Sequence, residues 1–289
     1  MEISSKDKIQ IVECPRDAMQ GWKTQIPTDQ KIQYLNQLLK VGFHTLDFGS
    51  FVSPKAIPQM ADTEDVIRSL DIFSTSTRLL AIIANERGAE KACSFDQIND
   101  LGFPFSVSET FQQRNTNSSI TDSFHRVKTI QNLCLNHNKQ LVVYLSMGFG
   151  NPYGDTWNEE IVFHWAEQLV DTGVKILSLA DTVGVATAEQ IDRMTAYLIR
   201  RLPGITIGVH LHSNAVNRRE KLEAAWNAGC RRYDGALKGI GGCPMADDEL
   251  VGNMDTDWML KYFNEKKETL QIDTEALKKA LQIADEIFV

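Results

Sequence analysis

The 289-residue chain lacks several things, and each absence removes a class of protein. No apolar run approaches eighteen residues, so a membrane-spanning helix is not expected. The start, Met1-Glu-Ile-Ser-Ser-Lys-Asp-Lys, has neither the apolar core of a signal peptide nor the look of a transit peptide, and a cytoplasmic location is expected. Five cysteines, an odd number with no Cys-X-X-Cys pair, argue for free thiols rather than a disulfide framework. No Gly-X-Gly-X-X-Gly follows an apolar run, which counts against a dinucleotide-binding sheet. Positive charge is in deficit. A net charge of −8 argues against nucleic acid or an anionic membrane as the main partner, and leaves room for a local basic pocket.

What the chain does contain is an alternation. Short, nearly continuous apolar runs are expected as strands at 9–13, 45–48, 78–84, 98–107, 140–146, 175–180, from 205, and at 232–237. Between and after them, helical spacing predicts helices at 28–41, 62–70, 88–94, 121–136 (with Thr121 as cap), 157–172, 187–201, 218–228, 256–266 and 273–287. The stretch around 14–23 reads as a loop. About eight strand-then-helix units without a linker imply a parallel sheet. Eight units in this length fit an α/β fold, a (β/α)8 TIM barrel, as a single domain over 1–289 with an additional C-terminal helical segment.

The stretch Ile205-Thr-Ile-Gly-Val-His-Leu-His-Ser-Asn organises the rest. Side chains two apart on a strand point the same way, so His210 and His212 share a face at a strand end. Two such imidazoles could hold one cation, or could be half-buried groups bonded to loop backbone. Active sites of such barrels sit at the C-terminal ends of the strands. Polar residues recur there: Arg16, Asp17 and Gln20, then Asp47, Ser50 and Ser53. Ser108 and Glu109 follow, then Asp181 and Thr182, and finally Cys243 and Asn253. Asp181 and Thr182 alone read as a cap or turn. Together the set offers a carboxylate, two imidazoles and an amide oxygen for a cation, and an arginine for developing negative charge.

Several runs carry a resemblance. Glu13-Cys-Pro-Arg-Asp-Ala-Met-Gln and Ser50-Phe-Val-Ser-Pro-Lys-Ala-Ile-Pro-Gln-Met resemble the metal-dependent retro-Claisen and Claisen enzymes related to 3-hydroxy-3-methylglutaryl-CoA lyase. So do Asp181-Thr-Val-Gly-Val, Val209-His-Leu-His and Gly239-Ile-Gly-Gly-Cys-Pro, in order along nearly the whole chain. The resemblance implies a (β/α)8 barrel holding Mg²⁺ or Mn²⁺ on Asp17, His210, His212 and Asn253. It implies an acyl-CoA thioester as substrate, cleaved to acetyl-CoA and acetoacetate, with His210 also counted among the catalytic groups. Arg16 would hold the enolate oxygen, and Asp47 would be a general base or proton relay. Cys243, beside a glycine pair, would transfer a proton from a mobile lid. A homo-oligomer, dimer or tetramer, is expected. The competing readings are an aldolase or Claisen-type synthase on a related hydroxy or 2-oxo acid, and an inactive metabolite-binding barrel.

The chain departs from the lyase pattern at Gly21 and Trp22, at Asp47 in place of Glu, and at Ser213 in place of Asp. The Cys243–Asn253 spacing is also one residue longer than usual. Asp47 and Trp22 are therefore expected to reshape the substrate pocket, one by retreating and the other by adding an apolar wall.

Overall fold

A computed structural model describes residues 8–241 and 251–289. Eight parallel strands close on themselves in sequence order. They are β1 (Gln10–Glu13), β2 (Thr45–Ser50), β3 (Arg78–Ile82), β4 (Asp100–Ser106), β5 (Gln140–Ser146), β6 (Ile176–Ala180), β7 (Thr206–His210) and β8 (Arg232–Gly235). The last strand pairs with the first, Gln10 opposite Arg232 and Glu13 opposite Gly235. The expected barrel is therefore present, and nearly every strand residue is buried because helices cover the outside.

The outer ring comprises α1 (Pro15–Gln20), α2 (Thr28–Leu39), α3 (Thr63–Ser69), α4 (Glu86–Cys93), α5 (Glu109–Thr116), α6 (Ile120–Asn136), α7 (Glu159–Asp171), α8 (Ala188–Arg201), α9 (Arg218–Asn227), α10 (Thr256–Glu265) and α11 (Thr274–Ile287). The C-terminal helix α11 returns to the start of the chain. Gln37 on α2 donates to the Ala276 carbonyl at 2.9 Å, and the Asp273 amide to that of Val41 at 2.9 Å. Leu80, Val142 and Tyr144 fill a layer inside the barrel, supported by Ile82 and Ile176, so the centre is packed.

Two helices were not expected. Pro15 starts α1, where its missing N–H costs nothing, but six residues carry too little periodicity to be legible. In α5 the Ser108 hydroxyl accepts from the Phe111 amide, and Asn117 ends the helix at φ +50°. The cap of α6 is Ser119 rather than Thr121. Its hydroxyl accepts from the Asp122 amide and donates to the Asp122 carboxylate at 2.7 Å, which starts the helix earlier. Among the described residues no helix is long and apolar enough to cross a membrane. Cys14, Cys93, Cys134 and Cys230 are all free and buried.

Candidate active site

The functional side chains gather where β1, β7 and the segment after β8 end. Helix α1 follows β1 directly and turns Arg16, Asp17 and Gln20 toward the barrel mouth. The strand β7 stops at His210, but the alternation continues one step further. His212 bridges to Asn253 in antiparallel fashion, and the two imidazole centroids lie 5.2 Å apart. A set of candidate ligand atoms on Asp17, His210 and His212 falls within 4.8 Å of one another. Asn253 approaches from the other side and donates from Nδ2 to Asp17 at 2.7 Å and to the Ile240 carbonyl at 2.9 Å. Its Oδ1 is buried and has no partner among the described residues. A buried acceptor without a partner costs free energy unless something fills it. One anionic oxygen, two imidazoles and a free amide oxygen suit a divalent cation that accepts nitrogen and oxygen donors.

The electrostatics are consistent with that. Burial disfavours the Asp17 carboxylate, but Arg16, both histidines and the Asn253 amide hold its pKa below the ordinary value. Burial also disfavours charge on His210, yet the carboxylate of Asp234 outweighs it and raises the imidazole. His212 is lowered, by burial first and the neighbouring His210 second.

Arg16 is held from two sides. Its Nη2 donates to Asp47 Oδ2 at 2.5 Å and its Nε to the same carboxylate, while Nη1 donates to Asp17 Oδ1 at 2.9 Å. Asp47 sits within β2 with its side chain 1 % exposed. Burial raises it to about 6 against the pull of Arg16. It does not reach the cavity wall, so this geometry favours a residue that aims Arg16 over the expected base. Trp22 does not reach the cavity either. It packs edge-on against Phe288 at 5.2 Å, which removes the expected apolar pocket wall.

The cavity at the barrel mouth holds about 450 Å³, with Arg16, Asp17, His210 and His212 in its lining. Ser50, Ser53 and Thr182 line it as well, whereas Ser108 and Glu109 serve the α5 and α6 caps. Asp181 is structural. It pairs with buried Lys221 at 2.7 Å and accepts from the Ala186 amide. Cys243 lies outside the described residues. Sequence reading missed Tyr144, Arg114 and Arg126 on the cavity wall, because they sit in apolar or helical runs without any motif. Asp234, beneath His210, was legible only as an inward position two residues after Arg232 on β8.

Fold and site define a (β/α)8-barrel enzyme with a histidine–carboxylate cluster at the C-terminal end of its strands. The sequence matches the HMGL-like family model over residues 8–284, and the chain belongs to that family. It is 34% identical over 232 residues to a hydroxymethylglutaryl-CoA lyase of Bacillus subtilis, covering 80% of this chain and 77% of the relative. The (R)-citramalyl-CoA lyase of Chloroflexus aurantiacus is 28% identical over 91% of this chain and 85% of its own. A solved HMG-CoA lyase from Acinetobacter baumannii, in complex with coenzyme A and 3-methylmalate, superposes with a TM-score of 0.91 at 30% identity, over 99% of this chain and 93% of that one. The protein is a carbon–carbon lyase of this family.

Proposed function

We propose that the protein is a divalent-metal-dependent lyase that cleaves a 3-hydroxy-3-methylglutaryl-CoA-like thioester to acetyl-CoA and acetoacetate. The observation that carries this reading is the convergence of Asp17, His210 and His212 on the cavity wall, within 4.8 Å of one another, with Asn253 bonded to Asp17. Asp17, His210, His212 and Asn253 would hold Mg²⁺ or Mn²⁺. A divalent cation, when bound, lowers the pKa of the substrate's tertiary alcohol and fixes it beside the nearby carboxylate.

The residues of the chain supply the rest. Loss of the alcohol proton forms the ketone of acetoacetate as the carbon–carbon bond breaks, and the electron pair moves into the thioester enolate. Arg16 donates to that enolate oxygen, where charge develops only during the reaction, and Asp47 keeps the guanidinium in place. His210 Nδ1 lies beside Asp234, which leaves Nε2 as the nitrogen for a cation and favours the ligand among its two expected roles. Among the described residues, the cavity's carboxylate and imidazoles all belong to the cluster. Cys243 protonates the enolate carbon, by resemblance to the family. Among the described residues, the cavity lining carries Arg16, Arg114 and Arg126 against the single acid Asp17, which suits an anionic thioester in a protein of net charge −8.

The test is acetyl-CoA release from a panel of 3-hydroxyacyl-CoAs varied at C3, with Mn²⁺ or Mg²⁺ and after chelation. Turnover is expected on the 3-methylglutaryl compound and none in EDTA. Metal-independent turnover, or no acetyl-CoA from any member, overturns the proposal. The citramalyl-CoA relative motivates including that thioester. A preference for it would move the substrate while keeping the chemistry.

A further inference from the structure

His210 belongs to two constellations at once. One face of the cluster is Asp17 and His212, while Cys14 and Asp234 lie close enough to form a second group with the same histidine. Asp234 sits on β8 deep in the barrel, its side chain fully buried, and its Oδ1 accepts from Arg232 Nη1 at 2.8 Å. The other oxygen, Oδ2, lies 3.4 Å from His210 Nδ1.

The lower group could be read as a second cation site, but its chemistry argues otherwise. Burial drives the Cys14 thiol well above its ordinary range, away from the thiolate a metal needs. Its Sγ already points at the Val12 carbonyl. One of the two oxygens of Asp234 is taken by Arg232. Among these three residues only His210 lines the cavity.

We infer that Asp234 is a positioning residue: it accepts a hydrogen bond from His210 Nδ1–H and thereby aims the Nε2 lone pair at Asp17 and His212. A neutral imidazole carries one N–H. An acceptor fixed at Nδ1 selects that tautomer, leaves Nε2 free as a ligand and makes it more basic. His212 is held in the same sense by a neutral partner, the Val251 carbonyl, 2.8 Å from its Nδ1. The two histidines therefore differ in support, with the anion behind His210 and a peptide oxygen behind His212. Arg232 holds Asp234 and does not touch the histidine. The inference rests on the cation reading of the upper cluster given above.

Two measurements test it. In wild-type protein labelled with ¹⁵N-histidine, imidazole shifts at pH 9 should report His210 as the Nδ1–H tautomer. The Nε2–H tautomer overturns the inference and needs no variant. Mn²⁺ affinity, by titration calorimetry, is then compared in wild type, Asp234→Asn and Arg232→Leu. Both variants break the Arg232–Asp234 pair, so both should lose thermal stability. Asp234→Asn should weaken Mn²⁺ binding by about 10- to 100-fold, and Arg232→Leu, which keeps the carboxylate behind His210, should weaken it less. Equal affinity in Asp234→Asn and wild type overturns the inference, as does an equal loss in both variants. A wild type that binds no Mn²⁺ overturns the proposed function instead, and the tautomer measurement then judges Asp234 alone.

Discussion

The two ends of the barrel bury charge in different ways. At the N-terminal end of the strands, charges are matched and finished. Arg78 Nε donates to Asp100 at 2.9 Å, and buried Lys139 is surrounded by the carbonyls of Phe95, Asp96 and Ile98. At the C-terminal end the pairing is deliberately incomplete. Arg16 is fixed by two carboxylates, but among the described residues Asn253 Oδ1 has no partner, and Asp17, His210 and His212 converge on one another. Buried polar groups that are all satisfied hold a structure together, whereas ligand-type groups that converge on a cavity wall are free to take up something else.

The sharpest way to break this contrast is at Arg16. Arg16→Met should lower kcat at least about a hundredfold, an effect of roughly 3 kcal/mol on the transition state, while Mn²⁺ stays bound in calorimetry. Near-normal kcat would make Arg16 structural, like the charges at the other end. Next in size is Gly241→Ala. Gly241 has φ +103°, and a Cβ there would lie 2.6 Å from Asn253 Nδ2 and 2.9 Å from the Asp17 carbonyl. The amide must swing away, and Mn²⁺ affinity is expected to drop about tenfold, the low end for disturbed ligand support.

Asp100→Asn probes the opposite end. Arg78 is one-third exposed, so solvent screens the pair and about 1–2 kcal/mol of stability is expected to go. The melting temperature should fall by a few degrees with kcat/KM unchanged, and a drop in kcat/KM would show that the two ends are coupled. The smallest effect concerns Glu13, raised by burial to about 8. Between about pH 4.5 and 8 the folded state keeps a proton that the unfolded state has lost, so stability falls as pH rises through that window. Glu13→Gln keeps the acceptor for the Leu237 amide and should flatten the melting-temperature profile from pH 5 to 8. An unchanged slope would place the titration elsewhere.

The sequence by itself determined the alternation, and with it the barrel. Each strand must bury both faces and each helix one, so the hydrophobic pattern is local and legible. It also determined that His210 and His212 share a face, since strand alternation needs no tertiary contact. Short motifs placed Arg16, Asp17 and Asn253 among the candidates. Tertiary structure alone decided what those candidates do. Asp47 entered as a candidate base or proton relay, and only the fold shows that a guanidinium 31 residues earlier in the chain bonds its carboxylate. Trp22 looked like a pocket wall until Phe288, from the far end of the chain, packed against it. Asp181 acquired Lys221, and His210 acquired Asp234. Closure of the barrel brings each of these partners together across long stretches of chain, and a pKa or a free acceptor depends on the partner as much as on the residue.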